Sequence, residues 1–244
     1  MQRPNKRREF LKQAAGASIA IAPGVSLLNI AHAYNNNAVD DSVRWGMLID
    51  SNKCADGCED CVNACANENG WGIGSNDESN SSPQQKAQWI RTVTVRNKAS
   101  NHTTSLPIMC QHCANPPCAD VCPTGASFKR ADGIVLVDKH RCIGCRYCMM
   151  ACPYKARSFV HESLFEQKAH APRGKGTVES CTMCTHRIDN GQQPACVEGC
   201  EQNAMIFGNL NDSNSEISKT LEEFGATQIR ADFGLNPGVF YRGI

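Results

Sequence analysis

The sequence predicts an α+β fold in which short strands and helices surround metal-binding loops. Sixteen of the 244 residues are cysteines, the cysteines form four compact groups, and the segments that favour strands are only three to seven residues long. A chain of this length forms one or two domains. Because such short strands bury little apolar surface, we expect the bound metal to serve as the core, so that its removal unfolds the chain.

Alternating and apolar segments predict the individual elements. Strands are expected at 46–49, 90–96, 134–137, 157–161 and 205–207, with a turn at Ala131-Asp132-Gly133 before the third of them. Ser213-x-x-Glu216 is typical of a capping box and predicts a helix over 217–224 that ends at Gly225. The tail that follows is expected to be an extended strand or part of an interface.

The cysteines divide into four quartets with none left over. The quartets are Cys54, Cys58, Cys61, Cys65; Cys110, Cys113, Cys118, Cys122; Cys142, Cys145, Cys148, Cys152; and Cys181, Cys184, Cys196, Cys200. Each ends in C-x3-C, so the chain contains an internal repeat whose unit is a metal-binding run.

The third quartet has the spacing C-x2-C-x2-C-x3-C-P, which is the bacterial ferredoxin pattern. In two-cluster proteins with this pattern the fourth cysteine binds the other cluster. Pro153 follows Cys152 and suits the first turn of a helix. Two quartets are therefore expected to exchange their last cysteines, and four quartets predict two such pairs, a double bacterial-ferredoxin-like fold.

The short link between the second and third quartets makes them one pair, which leaves the first and fourth as the other. The predicted ligand sets are Cys54, Cys58, Cys61 with Cys200 (site 1); Cys181, Cys184, Cys196 with Cys65 (site 2); Cys110, Cys113, Cys118 with Cys152 (site 3); and Cys142, Cys145, Cys148 with Cys122 (site 4). The predicted modules are an outer one (34–109 with 170–210), an inner one (110–169), and a C-terminal helix and tail (211–244).

Zinc and disulfides are the alternatives for these thiols. Zinc ribbons place two C-x2-C pairs well apart, whereas three of these runs are compact. No C-x-x-C is followed by His, which argues against covalent haem. With the quartets complete, His112 and His186 are expected at the surface or as caps, and single basic residues such as Arg157 on a solvated face.

The first 33 residues have the pattern of an export signal. Arg7 and Arg8 precede a small and apolar run that ends in the cleavage pattern Ala31-His32-Ala33, which indicates a twin-arginine signal peptide. The alternatives are an uncleaved anchor or a helix of the fold. Without this segment the chain has 20 basic and 23 acidic residues, which does not favour nucleic acid binding. The predicted location is periplasmic, with membrane association through partners.

The motifs together resemble the four-cluster iron–sulfur subunits of the dimethyl sulfoxide reductase family. The resemblance rests on RWGMLIDSNKC, LPIMCQHCANPPCADVCPTGA, CIGCRYCMMACPYKAR and ESCTMCTHRIDNGQQPACVEGC, from Arg44 to Leu210. It implies four [4Fe–4S] clusters, since every ligand position is a cysteine. Cys200 is followed by Glu201 where many relatives have proline, and the first run opens with three intervening residues, which leaves the geometry of the outer clusters open.

The resemblance also implies a function without catalysis by this chain. Such subunits relay single electrons between a quinone-interacting membrane subunit of the NrfD-like type and redox partners such as a multihaem cytochrome. The twin-arginine signal and the ending GLNPGVFYRGI are most similar to the exported subunit of the membrane complex associated with dissimilatory sulfite reductase. The alternatives are a subunit of a molybdopterin-dependent, nitrite, polysulfide or tetrathionate reductase, or a self-contained reductase. We find no catalytic constellation.

Overall fold

A computed structural model describes residues 39–72, 81–96, 101, 103–165 and 167–244. The export signal lies outside the described residues. Within the described part of the chain no helix combines the length and the hydropathy that a membrane crossing requires.

The elements are short and alternate along the chain. Strands β1 to β9 span Trp45–Asp50, Ile90–Arg96, Thr103–Met109, Ser127–Lys129, Val135–Val137, Ser158–Phe159, Val178–Glu179, Met205–Asn209 and Val239–Arg242. Helices α1 to α6 span Asp60–Asn69, Pro117–Asp120, Tyr147–Ala151, Thr185–Ile188, Ala195–Glu198 and Glu216–Phe224. Single 3-10 turns lie at Pro83–Gln85 and Ala231–Phe233. The prediction of an α+β fold is confirmed.

The largest sheet joins distant parts of the chain in the order β8-β1-β9. Strand β1 pairs antiparallel with β8 and parallel with β9, so that Met47 lies opposite both Phe207 and Val239. Five of the six residues of β1 are buried, as befits a central strand. The C-terminal tail therefore belongs to the same sheet as the first strand, and the expectation of an extended tail strand is confirmed.

Three two-stranded sheets complete the fold. They pair β2 with β3, β4 with β5, and β6 with β7, all antiparallel. Gly133, at a φ of 88°, donates to the carbonyl of Arg130 in the turn between β4 and β5, which confirms the predicted turn. The five predicted strands are present with small differences in their ends, while β3, β4 and β7 were not predicted.

Helix α6 begins two residues later than the predicted capping box requires. Ser215, rather than Ser213, is the N-cap residue, and its hydroxyl accepts the amide of Ser218 at 3.2 Å. Gly225 ends the helix as predicted, with its amide donating to the carbonyl of Leu221. The predicted helix is confirmed and its capping box is wrong.

Cysteines form a large part of the main core. They account for nine of its 27 buried residues, where they pack beside Trp71, Trp89, Met109 and Tyr241. Tyr241 of β9 donates from its hydroxyl to the carbonyl of Pro107 in β3 at 3.0 Å and accepts the amide of Gln111 at 3.1 Å. The C-terminal strand thus ties the three-stranded sheet to the hairpin that carries the second quartet.

Candidate metal centres

The cysteines of site 1 line one cleft. Cys54 and Cys58 lie in the turns between β1 and α1, Cys61 lies in the first turn of α1, and Cys200 follows α5. Ile49, Pro107 and Met205 form part of the apolar wall of the cleft. The backbone amide of Ala204 donates to the Sγ atom of Cys200 at 3.3 Å. Four thiols on two distant segments thus converge on one space.

The cysteines of site 2 are buried around the end of α1. Cys65 lies one helical turn after Cys61, so that α1 contributes one thiol to site 1 and one to site 2. The amide nitrogen of Asn69 lies 3.6 Å from the Sγ atom of Cys65 and 4.0 Å from that of Cys184. The pKa of Cys65 is held well above its ordinary value by burial and by the neighbouring Cys181 and Cys184.

Cys181 and Cys196 of site 2 are buried in the same way as Cys65. Burial, followed by the proximity of Cys65 and Cys184, holds the pKa of Cys196 well above its ordinary value. The amide of Met183 donates to the Sγ atom of Cys181 at 3.3 Å, from a backbone with positive φ at Met183 and Cys184. This left-handed turn folds the C-x2-C run back on itself.

The cysteines of site 3 follow β3 and surround α2. Burial, followed by the neighbouring Cys118 and Cys152, raises the pKa of Cys113 to about 12. Burial likewise raises the pKa of Cys110 to about 12. Cys152 comes from the third quartet, immediately after α3. The structure therefore brings the last cysteine of one run next to the first three of another.

The cysteines of site 4 line a second cleft. Cys122, Cys142, Cys145 and Cys148 all contribute to its wall. The amide of Ser127 donates to the Sγ atom of Cys122 at 3.3 Å, and the amide of Val178 to that of Cys142 at 3.4 Å. Burial raises the pKa of Cys122, but the hydrogen bonds from Ser127 and Thr124 outweigh it and leave this pKa below its ordinary value.

Cys145 of site 4 is the one exposed cysteine among the sixteen, all of which lie in the described residues. Large exposed apolar side chains surround it in sequence, namely Ile143, Tyr147 and Met150. Arg141 and Arg146 are exposed on the same loop and helix. Site 4 therefore contains the most exposed of the thiol ligands, since the other fifteen are buried or partly buried.

The chemistry of the four groups fits iron–sulfur clusters. Thiols whose pKa is raised by burial and by one another ionise together only when a cation compensates their charge, and metal binding then releases their protons. Backbone amides that donate to sulfur stabilise the thiolate form. None of the sixteen described cysteines forms a disulfide. The assignment of each thiol to a particular cluster stays a prediction, which these groupings support.

Two expectations for neighbouring residues are wrong. His112 is buried, and its Nδ1 atom accepts a hydrogen bond from the amide of Val135 at 3.0 Å, so it lies in the core rather than at the surface. Arg157 is buried and donates to the Sγ atom of Cys118 at 3.0 Å, so it does not lie on a solvated face. His186 is partly exposed beside Glu68, in keeping with its expected place at the surface. Tyr147 is exposed, whereas Tyr154 is buried beside Cys113.

Two residues outside the quartets, which the sequence did not predict, also contact the thiols. Asn69 was recognisable only as the residue one turn after Cys65, on the same face of α1. The amide of Val178 reaches Cys142 because β7 pairs with β6, a contact between segments about twenty residues apart that carry no motif.

Four groups of four thiols, with amide donors and compensating arginines around them, define a class of protein with several cysteine-ligated metal centres. A family model described as "4Fe-4S dicluster domain" matches residues 102–210, and a second of the same description matches residues 53–126. Between them the two matches include every cysteine of the chain.

Relatives agree with this match along almost the whole chain. An "Hdr-like menaquinol oxidoreductase iron-sulfur subunit 1" of Archaeoglobus fulgidus is 40% identical, covering 96% of this chain and 97% of the relative. A tetrathionate reductase subunit of Salmonella typhimurium is 35% identical (98% and 89% covered), and "Protein NrfC" of Escherichia coli 36% (96% and 93%). The chain belongs to this family of 4Fe–4S dicluster iron–sulfur subunits of oxidoreductase complexes.

Proposed function

We propose that the chain carries single electrons through four [4Fe–4S] clusters, held by the ligand sets of sites 1 to 4. The observation that carries the proposal is the convergence of all sixteen thiols on four separate groups of four. Four saturated cysteine sites leave no iron coordination position for a substrate, which favours electron transfer over catalysis. The chain supplies the thiolates, the amide donors and the charge that tune each cluster.

Iron and sulfide analysis tests the cluster count. The protein, purified without oxygen, is expected to contain about sixteen iron and about sixteen sulfide per chain, four of each for every cluster. A redox titration followed by electron paramagnetic resonance should resolve four one-electron centres. About eight iron atoms per chain, or zinc bound in place of iron, would contradict the proposal.

Electrons enter or leave at site 4 in this proposal. Its ligand Cys145 is exposed, and the exposed apolar side chains of Ile143, Tyr147 and Met150 form what we call the site 4 face. Apolar contact at the centre of an interface with charged residues at its rim is the usual anatomy of a docking surface. Arg141 and Arg146 favour a redox partner with an acidic rim.

We further propose that the partner complex contains a quinone-interacting membrane subunit of the NrfD-like type and operates in the periplasm in dissimilatory sulfur metabolism. The support is the twin-arginine pattern at Arg7 and Arg8, the similarity of the ending GLNPGVFYRGI to that of the exported subunit associated with dissimilatory sulfite reductase, and the name of the Archaeoglobus relative. The Salmonella relative favours a second candidate, the iron–sulfur subunit of a molybdopterin-dependent or tetrathionate-type reductase.

Purification from native membranes distinguishes the two candidates. The tagged chain is isolated in mild detergent, and the retained subunits are identified by mass spectrometry. A multi-helix quinone-interacting protein with cytochrome or heterodisulfide-reductase-like subunits supports the first candidate. A molybdopterin protein overturns it in favour of the second.

Export is tested separately with Arg7→Lys and Arg8→Lys together. This pair keeps the charge but removes the twin arginines, so it should retain the protein in the cytoplasm if the signal is of the twin-arginine type. Lys6→Arg, outside the pair, is the matched control and should be exported normally. Cell fractionation followed by immunoblotting measures both, and export of the double variant would contradict the proposal.

A further inference from the structure

Three ligand-type side chains that the iron–sulfur sites do not use meet on the surface beside site 2. Glu68 lies near the end of α1, His186 in α4, and His170 in the segment between β6 and β7. The Nε2 atom of His186 lies 2.7 Å from Oε1 of Glu68, and that of His170 lies 3.6 Å from the same oxygen. All three ligand atoms lie within 4.8 Å of one another. We propose that Glu68, His170 and His186 bind a zinc-class divalent cation.

The donor atoms and their spacing suit zinc. Two imidazole nitrogens and one carboxylate oxygen form the His2Glu donor set of open zinc sites, in which water takes the fourth position. Zinc–ligand bonds of about 2.0–2.1 Å in a tetrahedron separate the ligand atoms by about 3.3 Å. The distances from Oε1 of Glu68 to the two Nε2 atoms, 2.7 and 3.6 Å, lie on either side of this value. The imidazole rings stack at 4.1 Å between centroids, which holds the two histidines side by side.

The hydrogen bonds of the two histidines mark the place that the ion takes. The Nε2 atom of His186 bonds to Oε1 of Glu68, and the Nε2 atom of His170 bonds to the backbone carbonyl of Glu68 at 2.9 Å. Both nitrogens therefore point at one residue. A bound cation replaces the protons that hold these contacts, so the side chains need only small movements to coordinate it.

A neighbouring arginine already orients the carboxylate. Arg187 Nη1 lies 3.2 Å from Oε2 of Glu68, which leaves Oε1 for the metal. The guanidinium also pairs with Glu198, so its positive charge is offset within the cluster. Partners that hold the second oxygen of a carboxylate ligand are a regular feature of metal sites.

The site is open to solvent. His170 and His186 line an open cleft of about 320 Å³, whose wall also includes His140, Lys139 and Thr185. The side chain of His170 is 37% exposed, so the ion has an entry path and the ligand is replaceable without loss of core packing. His140 lines the cleft without belonging to the three ligands, which makes it the matched control.

Zinc titration of the iron-loaded protein tests the proposal. The iron-loaded protein is titrated with zinc chloride under anaerobic conditions, desalted and analysed for zinc and iron by mass spectrometry. Wild type is expected to retain one zinc per chain with unchanged iron. His170→Ala and Glu68→Gln should each weaken retention at least tenfold, whereas His140→Ala should behave as wild type. Glu68→Gln preserves the shape of the side chain, so its loss of zinc is not a consequence of misfolding.

The two readouts separate this proposal from the electron-transfer function. Failure of wild type to retain zinc, or undiminished retention by both variants, overturns the zinc site whatever the iron content. Zinc uptake that displaces iron identifies the cysteines as the binding groups and likewise overturns it. Low iron in untreated wild type bears on the clusters alone, because the three proposed ligands include no cysteine.

Discussion

Arg157 donates from Nη2 to the Sγ atom of Cys118 at 3.0 Å, deep in the protein. Its positive charge counteracts the rise that burial causes in the pKa of Cys118 of site 3 and also of Cys148 of site 4. One guanidinium thus stabilises sulfur ligands of two neighbouring sites. Because a cluster gains negative charge on reduction, a cation beside its ligands favours the reduced state.

Arg157→Met should therefore lower the reduction potential of the clusters at sites 3 and 4. The variant removes a charge and a hydrogen bond to sulfur while it keeps an unbranched side chain. We expect a shift of about 60 mV, equivalent to about 1.4 kcal/mol for one electron, at the lower end of the range for hydrogen bonds to charged groups. Redox titration monitored by electron paramagnetic resonance measures it.

The control for this shift is Lys219→Gln, which makes the same change in net charge at an exposed position of α6. It should leave all potentials unchanged. Equal potentials in wild type and Arg157→Met, at full iron content, would show that the guanidinium does not tune the clusters.

Gly144, between two cysteines of site 4, permits a close approach that no other residue allows. Its φ is 71°, and an added Cβ atom would lie 2.2 Å from the carbonyl oxygen of Gly176. Gly144→Ala is therefore expected to displace the loop and to lose about four iron atoms, one cluster, while the other sites stay loaded. Iron analysis of the purified variant measures the loss.

Gly191→Ala is the matched control for Gly144→Ala. Gly191 has nearly the same φ, 72°, but an added Cβ atom there meets nothing within 4 Å. Both substitutions therefore strain the backbone in the same way, and only Gly144→Ala adds a steric clash. Full iron content in both variants would mean that the loop of site 4 tolerates the displacement.

A buried ion pair supports the strand that contacts site 4. Arg173 Nη2 lies 2.9 Å from Oε1 of Glu179, and both side chains are almost fully buried. Removal of one partner leaves a buried charge, which costs about 3–5 kcal/mol. The cost of Arg173→Met should lie at the lower end of this range, because Lys139 Nζ remains 3.6 Å from the carboxylate of Glu179.

For Arg173→Met we expect the unfolding midpoint of the iron-loaded protein to fall by about 6–12 °C, measured by circular dichroism without oxygen and at one scan rate. Arg230→Met, which breaks the exposed pair with Asp232, should leave the midpoint unchanged. The pair at Arg173 would be dispensable if both variants unfolded at the wild-type temperature.

Sequence spacing predicts the site groupings because cysteine runs are local patterns. The exchange of Cys122 and Cys152 between runs stays a prediction from the ferredoxin spacing, and it is supported by Cys122 in the wall of the site 4 cleft and by Cys152 beside Cys113. Burial, by contrast, depends on distant segments. Arg157 and His112 are polar in sequence, and only the packing of the strands around them encloses them.

Strands β3 and β7 were not predicted because they too depend on neighbouring segments. Pro107 interrupts the sequence pattern of β3, yet proline is tolerated in a strand with a free edge, and among the described strands β3 pairs only with β2. Strand β7 has two residues and exists through its partner β6. Short strands are set by their neighbours more than by their own composition.

The site 4 face should control electron exchange with the redox partner. Met150 is 67% exposed beside site 4, and Met150→Glu adds a like charge opposite the acidic rim proposed for the partner. A loss of about 1.4 kcal/mol at a central contact corresponds to a KM for the partner about tenfold higher. Stopped-flow reduction by the isolated partner complex measures this.

Val95→Glu, an exposed apolar position at the far end of β2, controls for the effect of an added charge. It should leave the KM unchanged, and both variants should keep full iron content and unchanged potentials. If Met150→Glu behaved like Val95→Glu, the partner would dock elsewhere.

Iron removal should unfold most of the chain, because the sites lie within the core rather than on it. Cysteines are nine of the 27 buried residues of the main core, and the thiols of sites 1 and 4 line two clefts beside it. Emptying such spaces removes the contacts that hold the short strands together. Chelation under anaerobic conditions is expected to abolish the cooperative thermal transition in circular dichroism, and reconstitution with iron and sulfide should restore it. A metal-free chain that kept a cooperative transition at the holoprotein's temperature would show instead that the strands and helices form a sufficient core by themselves.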